Sequence, residues 1–318
     1  MAETQLFAQV GGHGGINTTE DGSLIIKPAL PLELQFYQTT LSDPKLERLQ
    51  EFIPVFYGTL KLEGKVDETN QGDGVNLLPV EEKAASPEIV LENIAYPFIK
   101  PNILDIKLGT VLYDDDATPE KKERMDKTAR ETTSHETGVR LTGFQVYDKD
   151  ASEPTLVPKS YGKSITSSQL PEGIAKFFPL AASEGSSSGL PRALLLPILK
   201  ALRDEISEIR DAVANLEARL VATSLLIVYE ADWVRAEEGV QKFLADDTEE
   251  EEEEDEGDDD DDDDAKKRPG MPCDVKLIDF AHTRLTPGEG PDSRILVGFD
   301  TVLRLLDSRI AEVEEVDP

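Results

Sequence analysis

The sequence predicts an α+β fold in two lobes, a small strand-rich one over residues 1–93 and a larger one over residues 94–318. Three observations carry this. Before residue 93 the apolar runs are short and bounded by turn residues, as strands are. Beyond it, strand-like runs alternate with long stretches whose apolar residues recur at three and four, the spacing of a helix with one buried face. The chain has 318 residues, enough for one large or two small domains, and a hydrophobic fraction of 38% supplies a core.

In the first lobe, Val10 to Ala29 reads as two strands around a turn. Asp21-Gly22 is the hairpin signal, and Ser23-Leu-Ile-Ile-Lys27-Pro28 is the returning strand. Gly11-Gly-His-Gly-Gly15 precedes it as a flexible loop; alone, a glycine-rich loop is weak evidence for a phosphate site. Ser42-Asp43-Pro44 opens a helix with a cap and a first-turn proline, and Leu46, Leu49, Phe52 and Ile53 give it an apolar face. Val55 to Leu62 is a strand. Glu63 to Pro87 is polar and reads as a surface loop. Glu88 to Ile94 is the last strand of the lobe.

The larger lobe begins with the most informative stretch of the chain, Pro101-Asn-Ile-Leu-Asp105-Ile-Lys107-Leu-Gly109. Strand side chains alternate with period two, so Asp105 and Lys107 share one face. Ile103, Leu104, Ile106 and Leu108 seat that strand in a core, and Gly109 marks a turn or a close approach. On spacing alone the acid–base pair reads first as a solvated ion pair on a strand surface, ahead of two groups held in one cleft. Thr118-Pro119 caps a helix over about 118–132, in which Lys121, Arg124 and Lys127 share a face. Val139 to Tyr147 alternates as a strand. Gly173 to Phe178 is a short helix and Ser183 to Gly189 a linker. A long helix carries Ile198, Leu202, Ile206, Ile209, Val213, Leu216 and Leu220. The strands Ser224 to Tyr229 and Val275 to Phe280 flank an acidic insertion, and Gly298 to Val313 is a closing helix.

Composition narrows the function classes. No run of about 18 apolar residues exists, so no membrane span is expected. The N-terminus shows no basic start with an apolar stretch, so no secretory signal is expected. The lone Cys273 allows neither an internal disulfide nor a cysteine-rich zinc site, and it suits a reducing compartment. The net charge is −32, but 17 of the 19 residues from Asp246 to Asp264 are acidic, and without them it is −15. Any anion site must therefore be a local basic patch, and direct nucleic-acid binding is not expected. The acidic run is nearly devoid of apolar residues and reads as disordered.

Three blocks in order give the chain a resemblance. Pro101-x-x-x-Asp105-x-Lys107-x-Gly109 resembles the signature of the inositol polyphosphate kinase family. Ser224-Leu225-Leu226 resembles its Ser-Ser-Leu-Leu block, with Thr223 where the first Ser often stands. Asp274-Val-Lys-Leu-Ile-Asp279-Phe280-Ala-His282-Thr resembles its Ile-Asp-Phe block. The similarity runs from about Val10 to the C-terminus, outside the acidic insertion. The resemblance implies a two-lobed kinase-like fold with ATP in the cleft, ATP and Mg2+ as cofactors, and inositol phosphates as substrates.

Site residues follow from the same resemblance. Lys27 would reach the ATP phosphates, and main chain near Glu92 and Ile94 would meet the adenine. Asp279 would bind the metal and contact ATP. Asp105 and Lys107 would be the catalytic pair, with Asp105 at the ribose or the accepting hydroxyl and Lys107 on substrate phosphate. Lys121, Arg124 and Lys127 on the helix, Lys163 in Tyr161-Gly162-Lys163-Ser164, and His282 would complete the substrate site. The compact size and the acidic insertion resemble the fungal multikinase branch. That branch phosphorylates inositol trisphosphate and tetrakisphosphate, on the 6- and 3-hydroxyls, towards pentakisphosphate. A hexakisphosphate kinase or a trisphosphate 3-kinase is the enzyme alternative; the short N-terminal region shows no basic amphipathic helix of calmodulin-binding type, which weighs against the 3-kinase. The non-enzyme alternative is an acidic regulatory scaffold for transcription factors or histones. Fungal members are associated with transcription of arginine genes, which places the expected localisation in nucleus and cytoplasm.

Overall fold

Two antiparallel sheets, one on each side of residue 93, organise the computed structural model, which describes residues 15–60, 65–66, 77–78, 87–182, 188–253 and 272–316. The first sheet has the order β1-β2-β6-β3, built from β1 (Asn17–Thr18), β2 (Leu24–Pro28), β3 (Phe56–Leu60) and β6 (Glu88–Glu92). The expected hairpin is there: Gly22 N–H donates to Thr19 O at 2.9 Å, and Asn17 lies opposite Ile26. Two helices sit between β2 and β3. α1 (Pro31–Thr40) has no counterpart in the sequence reading. Its buried face mixes Glu33 and Thr40 with Phe36 and Tyr37, so apolar periodicity is weak. α2 (Glu47–Gln50) follows a single tight turn, Pro44–Leu46, capped by Asp43 as expected. Leu46, Leu49, Phe52 and Ile53 are all buried. In the stretch read as a surface loop, β4 (Lys65–Val66) pairs with β5 (Leu77–Leu78). Of the glycine-dense loop only Gly15 falls among the described residues.

The second sheet has the order β12-β11-β7-β8-β9. The strands are β7 (Pro101–Leu108), β8 (Val139–Val146), β9 (Thr155–Val157), β11 (Ser224–Glu230) and β12 (Cys273–Ile278). The signature strand β7 is central, paired to β8 on one side and β11 on the other, which fixes its register from both edges. Between β7 and β8 lie α3 (Pro119–Glu131), capped by Thr118, and the single turn α4 (Ser134–Thr137). After β9 come α5 (Lys159–Ser164) and α6 (Leu170–Phe177). Residues 183–187 of the expected linker lie outside the described residues.

The long helix α7 (Arg192–Ala214) packs on α9 (Ser293–Glu314), and both reach the sheet. Leu195, Ile198, Leu199, Leu202, Ile206, Ile209 and Val213 are buried along α7, each contributing roughly 1.5–3 kcal/mol. The helix is shorter than its apolar stripe predicts. It ends at Ala214, and Leu220 belongs to β10 (Ala218–Leu220), which pairs with β13 (Thr283–Leu285). A continued apolar stripe cannot tell the last helical turn from a buried strand.

The acidic run also departs from expectation at its start. α8 (Trp233–Glu253) takes in residues 246–253; it is seated on buried Ala236 and Val240, and glutamate continues a helix readily. Residues 254–264 lie outside the described residues. No helix among the described residues is long and apolar enough to cross a membrane.

The two lobes share one core. Phe36 of α1 stacks on Phe280 at 4.1 Å, and α2 packs against α7. The outer edge of β12 is covered by the segment after α2, where Leu277 N–H donates to Phe52 O and Lys276 Nζ to Glu51 O, both at 2.8 Å. An otherwise open strand edge is thereby satisfied.

Candidate active site

Lys27, near the end of β2, reaches across the lobes. Its Nζ lies 2.8 Å from Glu33 Oε1 and 3.4 Å from Asp279 Oδ1. Glu33 stands in the first turn of α1, where the helix dipole favours a carboxylate, and it is buried. Burial works against the Lys27 charge, but Glu33 and Asp279 outweigh it and hold the ammonium above the ordinary lysine value. Asp279 follows β12 with φ 68°, a left-handed conformation that aspartate tolerates better than most residues. That turn lets Phe280 enter the core while the carboxylate stays a quarter exposed beside Lys27.

Asp105 and Lys107 stand behind this contact on β7. Asp105 is buried, and its Oδ1 has no hydrogen-bond partner among the described residues. Burial pushes its carboxyl up to about 6; Lys107 pulls it down and Asp279 pushes it further up. Lys107 donates from Nζ to Ala222 O at 2.6 Å. Burial lowers this lysine below its ordinary value against the pull of Asp279 and Asp105. Ala222 takes φ 61°, a strained choice for alanine, in the bend that presents this carbonyl.

Two cations absent from the sequence reading join the pair. Arg140 on β8 is the register partner of Lys107; its Nη1 is buried without a partner among the described residues, and burial weakens its guanidinium while Asp105 strengthens it. Lys159, at the start of α5, acts electrostatically on both Asp105 and Lys107. Glu33 is the third residue missed. Arg140 lies in a strand the sequence does reveal, but its facing of Lys107 is a matter of register. Lys159 lies one helical turn before the expected Lys163, on the same face.

The remaining expected residues are distributed as follows. His282 Nδ1 lies 2.7 Å from Asp114 Oδ2, in the segment between β7 and α3. Arg284 on β13 pairs with Asp115 and, at 3.4 Å, with Asp116, so two side chains tie that segment down. On α3, Lys121 and Arg124 pair with no carboxylate among the described residues, while Lys127 lies 3.7 Å from Glu131. Lys122 instead turns back to Asp115 O at 2.7 Å. Lys163 is exposed on α5. Glu92 N–H donates to Val55 O at 2.9 Å and its carboxylate accepts from Val55 N–H at 3.3 Å; Ile94 is buried just beyond.

These residues fit a nucleotide and a divalent cation. Phosphates need cations: Lys27 stands at Asp279, and Lys107, Arg140 and Lys159 surround Asp105 electrostatically. A hard cation takes carboxylate oxygen, and Asp279 with the unpartnered Asp105 Oδ1 offers it. Among the described residues no cluster of three or more acidic, histidine or cysteine side chains forms a cage. A metal here would therefore be held by one or two carboxylates together with phosphate oxygens, as magnesium commonly is.

Known proteins resemble this chain in sequence and in fold. The inositol polyphosphate kinase family model matches residues 88–307. The chain is 32% identical to the inositol polyphosphate multikinase of Saccharomyces cerevisiae, over 93% of this chain and 95% of that one. It is 32% identical to the Schizosaccharomyces pombe inositol polyphosphate multikinase, over 70% of this chain and 77% of that one. The fold superposes on the crystal structure of the S. cerevisiae inositol phosphate multikinase in complex with ADP and Mn2+, with a TM-score of 0.63 and 28% identity, covering 91% of this chain and all of that one.

Proposed function

The chain belongs to the inositol polyphosphate kinase family, and from that premise we propose that it is a multikinase, phosphorylating inositol trisphosphate and tetrakisphosphate on the 6- and 3-hydroxyls towards pentakisphosphate. At the coarser level it is an ATP-dependent inositol phosphate kinase that uses a divalent metal; we take the metal to be magnesium. The multikinase reading is supported by the near full-length similarity to a named multikinase.

One observation carries the chemistry: Lys27 and Asp279, from different lobes, meet at 3.4 Å beside the buried Asp105 and the half-buried Lys107. Phosphoryl transfer needs positioning and charge neutralisation more than covalent chemistry. In this reading Lys27 takes the nucleotide phosphates, and Glu33 holds its ammonium in place. Asp279 is the metal ligand; when bound, the metal neutralises phosphate charge. Lys107, Arg140 and Lys159 neutralise acceptor phosphates, with Arg140 suited to a bidentate contact. Lys121, Arg124, Lys127, Lys163 and His282 extend that surface. Asp105, with a carboxyl pushed up to about 6, is ionised at neutral pH yet basic enough to orient the accepting hydroxyl and take its proton. Main chain at Glu92 and Ile94 meets the adenine.

Product analysis with ATP, Mg2+ and inositol trisphosphate tests the reading. Sequential tetrakis- and pentakisphosphate is the expected outcome. Transfer to hexakisphosphate alone would move the chain to the hexakisphosphate kinases, and no transfer to any inositol phosphate would overturn it. The acidic run suits basic partners such as histone tails, or transcription factors, in nucleus and cytoplasm. Loss of such binding when residues 246–264 are neutralised is the corresponding test.

A further inference from the structure

The connector between β6 and β7, residues 93–100, is the chain that joins the two sheets along the expected adenine edge. It is tied down at both ends. At the first-lobe end Asn93 N–H donates to Ser23 O at 3.1 Å, Asn93 Nδ2 donates to Gly22 O at 2.8 Å, and Asn93 Oδ1 accepts from Ala95 N–H at 3.2 Å. At the other end stands Glu230, the last residue of β11, buried at 3% exposure. Its Oε2 accepts Ile99 N–H at 2.7 Å, and its Oε1 accepts Lys100 N–H and Asp232 N–H, both at 2.9 Å. Ala231 N–H returns a bond to Lys100 O at 3.0 Å.

A buried carboxylate is costly unless its oxygens are satisfied, and here three main-chain donors satisfy them. Two of the three belong to the connector. They use N–H groups that a surface loop otherwise gives to water; Ile99 as a residue is 60% exposed. The bonds are of the charge-assisted kind, stronger and shorter than neutral ones. The connector is thus clamped to the end of β11, the strand whose other end, Ser224, is the register partner of Lys107.

We infer that Glu230 is a positioning residue for the nucleotide: it fixes the inter-lobe connector so that the adenine edge and the phosphate contacts of Lys27 and Asp279 are held in one alignment. This rests on the reading above, in which ATP lies between the lobes. Glu230 touches neither substrate nor reacting atoms; it acts through the main chain of Ile99 and Lys100.

Glu230→Gln sets an amide NH2 against N–H donors. Loss of one such bond weakens nucleotide binding, so the Michaelis constant for ATP rises about five- to tenfold, while that for inositol trisphosphate stays within about twofold. Glu230→Asp keeps the charge but retracts it, and its ATP constant falls between those of wild type and Glu230→Gln. A folded Glu230→Gln enzyme with both constants unchanged, or both raised alike, overturns the proposal. A fall in melting temperature alone, with the ATP constant unmoved, overturns it too. Should Glu230→Gln not melt cooperatively, hydrogen exchange on the wild-type chain decides. Exchange at the Ile99 and Lys100 amides slows on adding ADP and not on adding inositol trisphosphate; no ADP effect there overturns the inference. Wild type that shows the ADP effect but phosphorylates no inositol phosphate overturns the kinase reading and leaves this anchor standing. An active kinase without the ADP effect does the reverse.

Discussion

Asp279 and Asp105 are both carboxylates at the site, and their surroundings give them opposite duties. Asp279 is partly exposed beside Lys27 and sits at φ 68°. Asparagine is the other residue that takes this conformation readily, so Asp279→Asn keeps the turn and the seat of Phe280. It loses the charge that a divalent cation needs. Kinase activity should fall on the order of 10²-fold or more, with an unchanged cooperative melt; near-normal turnover would move the metal site elsewhere. Asp105 is instead a burden on the fold. Its carboxyl is pushed from 3.8 to about 6, so folding disfavours the ionised form. The cost is absent below the unfolded value, grows as pH rises through the interval, and is complete above about 6. Asp105→Asn should therefore stabilise the protein by on the order of 1–3 kcal/mol at pH 7.5, and by roughly half as much at pH 5, while abolishing turnover. Urea unfolding at the two pH values is the measurement. A gain that ignores pH, or a loss at both, would show that Asp105 is not held against its charge.

At the scale of elements, the site depends on how closely α9 approaches the end of the signature strand. Gly109 N–H donates to Gly138 O at 2.8 Å, and Gly298 of α9 lies against both. A Cβ on Gly298 would stand 2.5 Å from Gly138 O and 3.3 Å from Gly109 N. Two effects of Gly298→Ala oppose each other. Alanine is the better helix former by about 1 kcal/mol. The clash is with backbone on two sides, which cannot rotate away, and overpacking of that kind costs typically 1–3 kcal/mol. The clash should win, giving a net loss on the order of 1–2 kcal/mol in urea unfolding. Because the displaced atoms carry the turn after Lys107, the Michaelis constant for the inositol phosphate should also rise. A stabilised Gly298→Ala protein would mean that α9 can slide without cost.

For the whole molecule, a net charge of −32 confronts a substrate that is itself a polyanion. The local cations Lys107, Arg140 and Lys159 resolve the conflict at short range. At longer range the acidic run should still repel the substrate, within a screening length of about 8 Å at physiological salt. Ten of the eleven residues from 254 to 264 are acidic. Replacing them with a Gly-Ser stretch of equal length should lower the Michaelis constant for inositol trisphosphate at low salt and leave it unchanged at high salt, with turnover constant at both. Loss of turnover at both salt concentrations, in a protein that melts cooperatively, would make the acidic run part of the catalytic machinery.

Periodicity and punctuation in the sequence determined much of this protein. The strands around Lys27, Asp105 and Asp279, the capped helix at Thr118 and the amphipathic α7 and α9 all follow local rules that a linear reading can apply. The pairing of Asp105 with Lys107 on one strand is such a rule, because alternation needs no partner. Tertiary structure alone decided what faces them. Arg140 opposes Lys107 through strand register, Glu33 reaches Lys27 from a helix whose buried face is half polar, and Ala222 offers its carbonyl through a left-handed bend. The helix read as continuous to Leu220 stops at Ala214 because β10 finds β13 some 65 residues further on. Each of these is a contact between segments distant in sequence. The chain's local preferences leave such contacts undetermined, and only the packing of the finished core chooses among them.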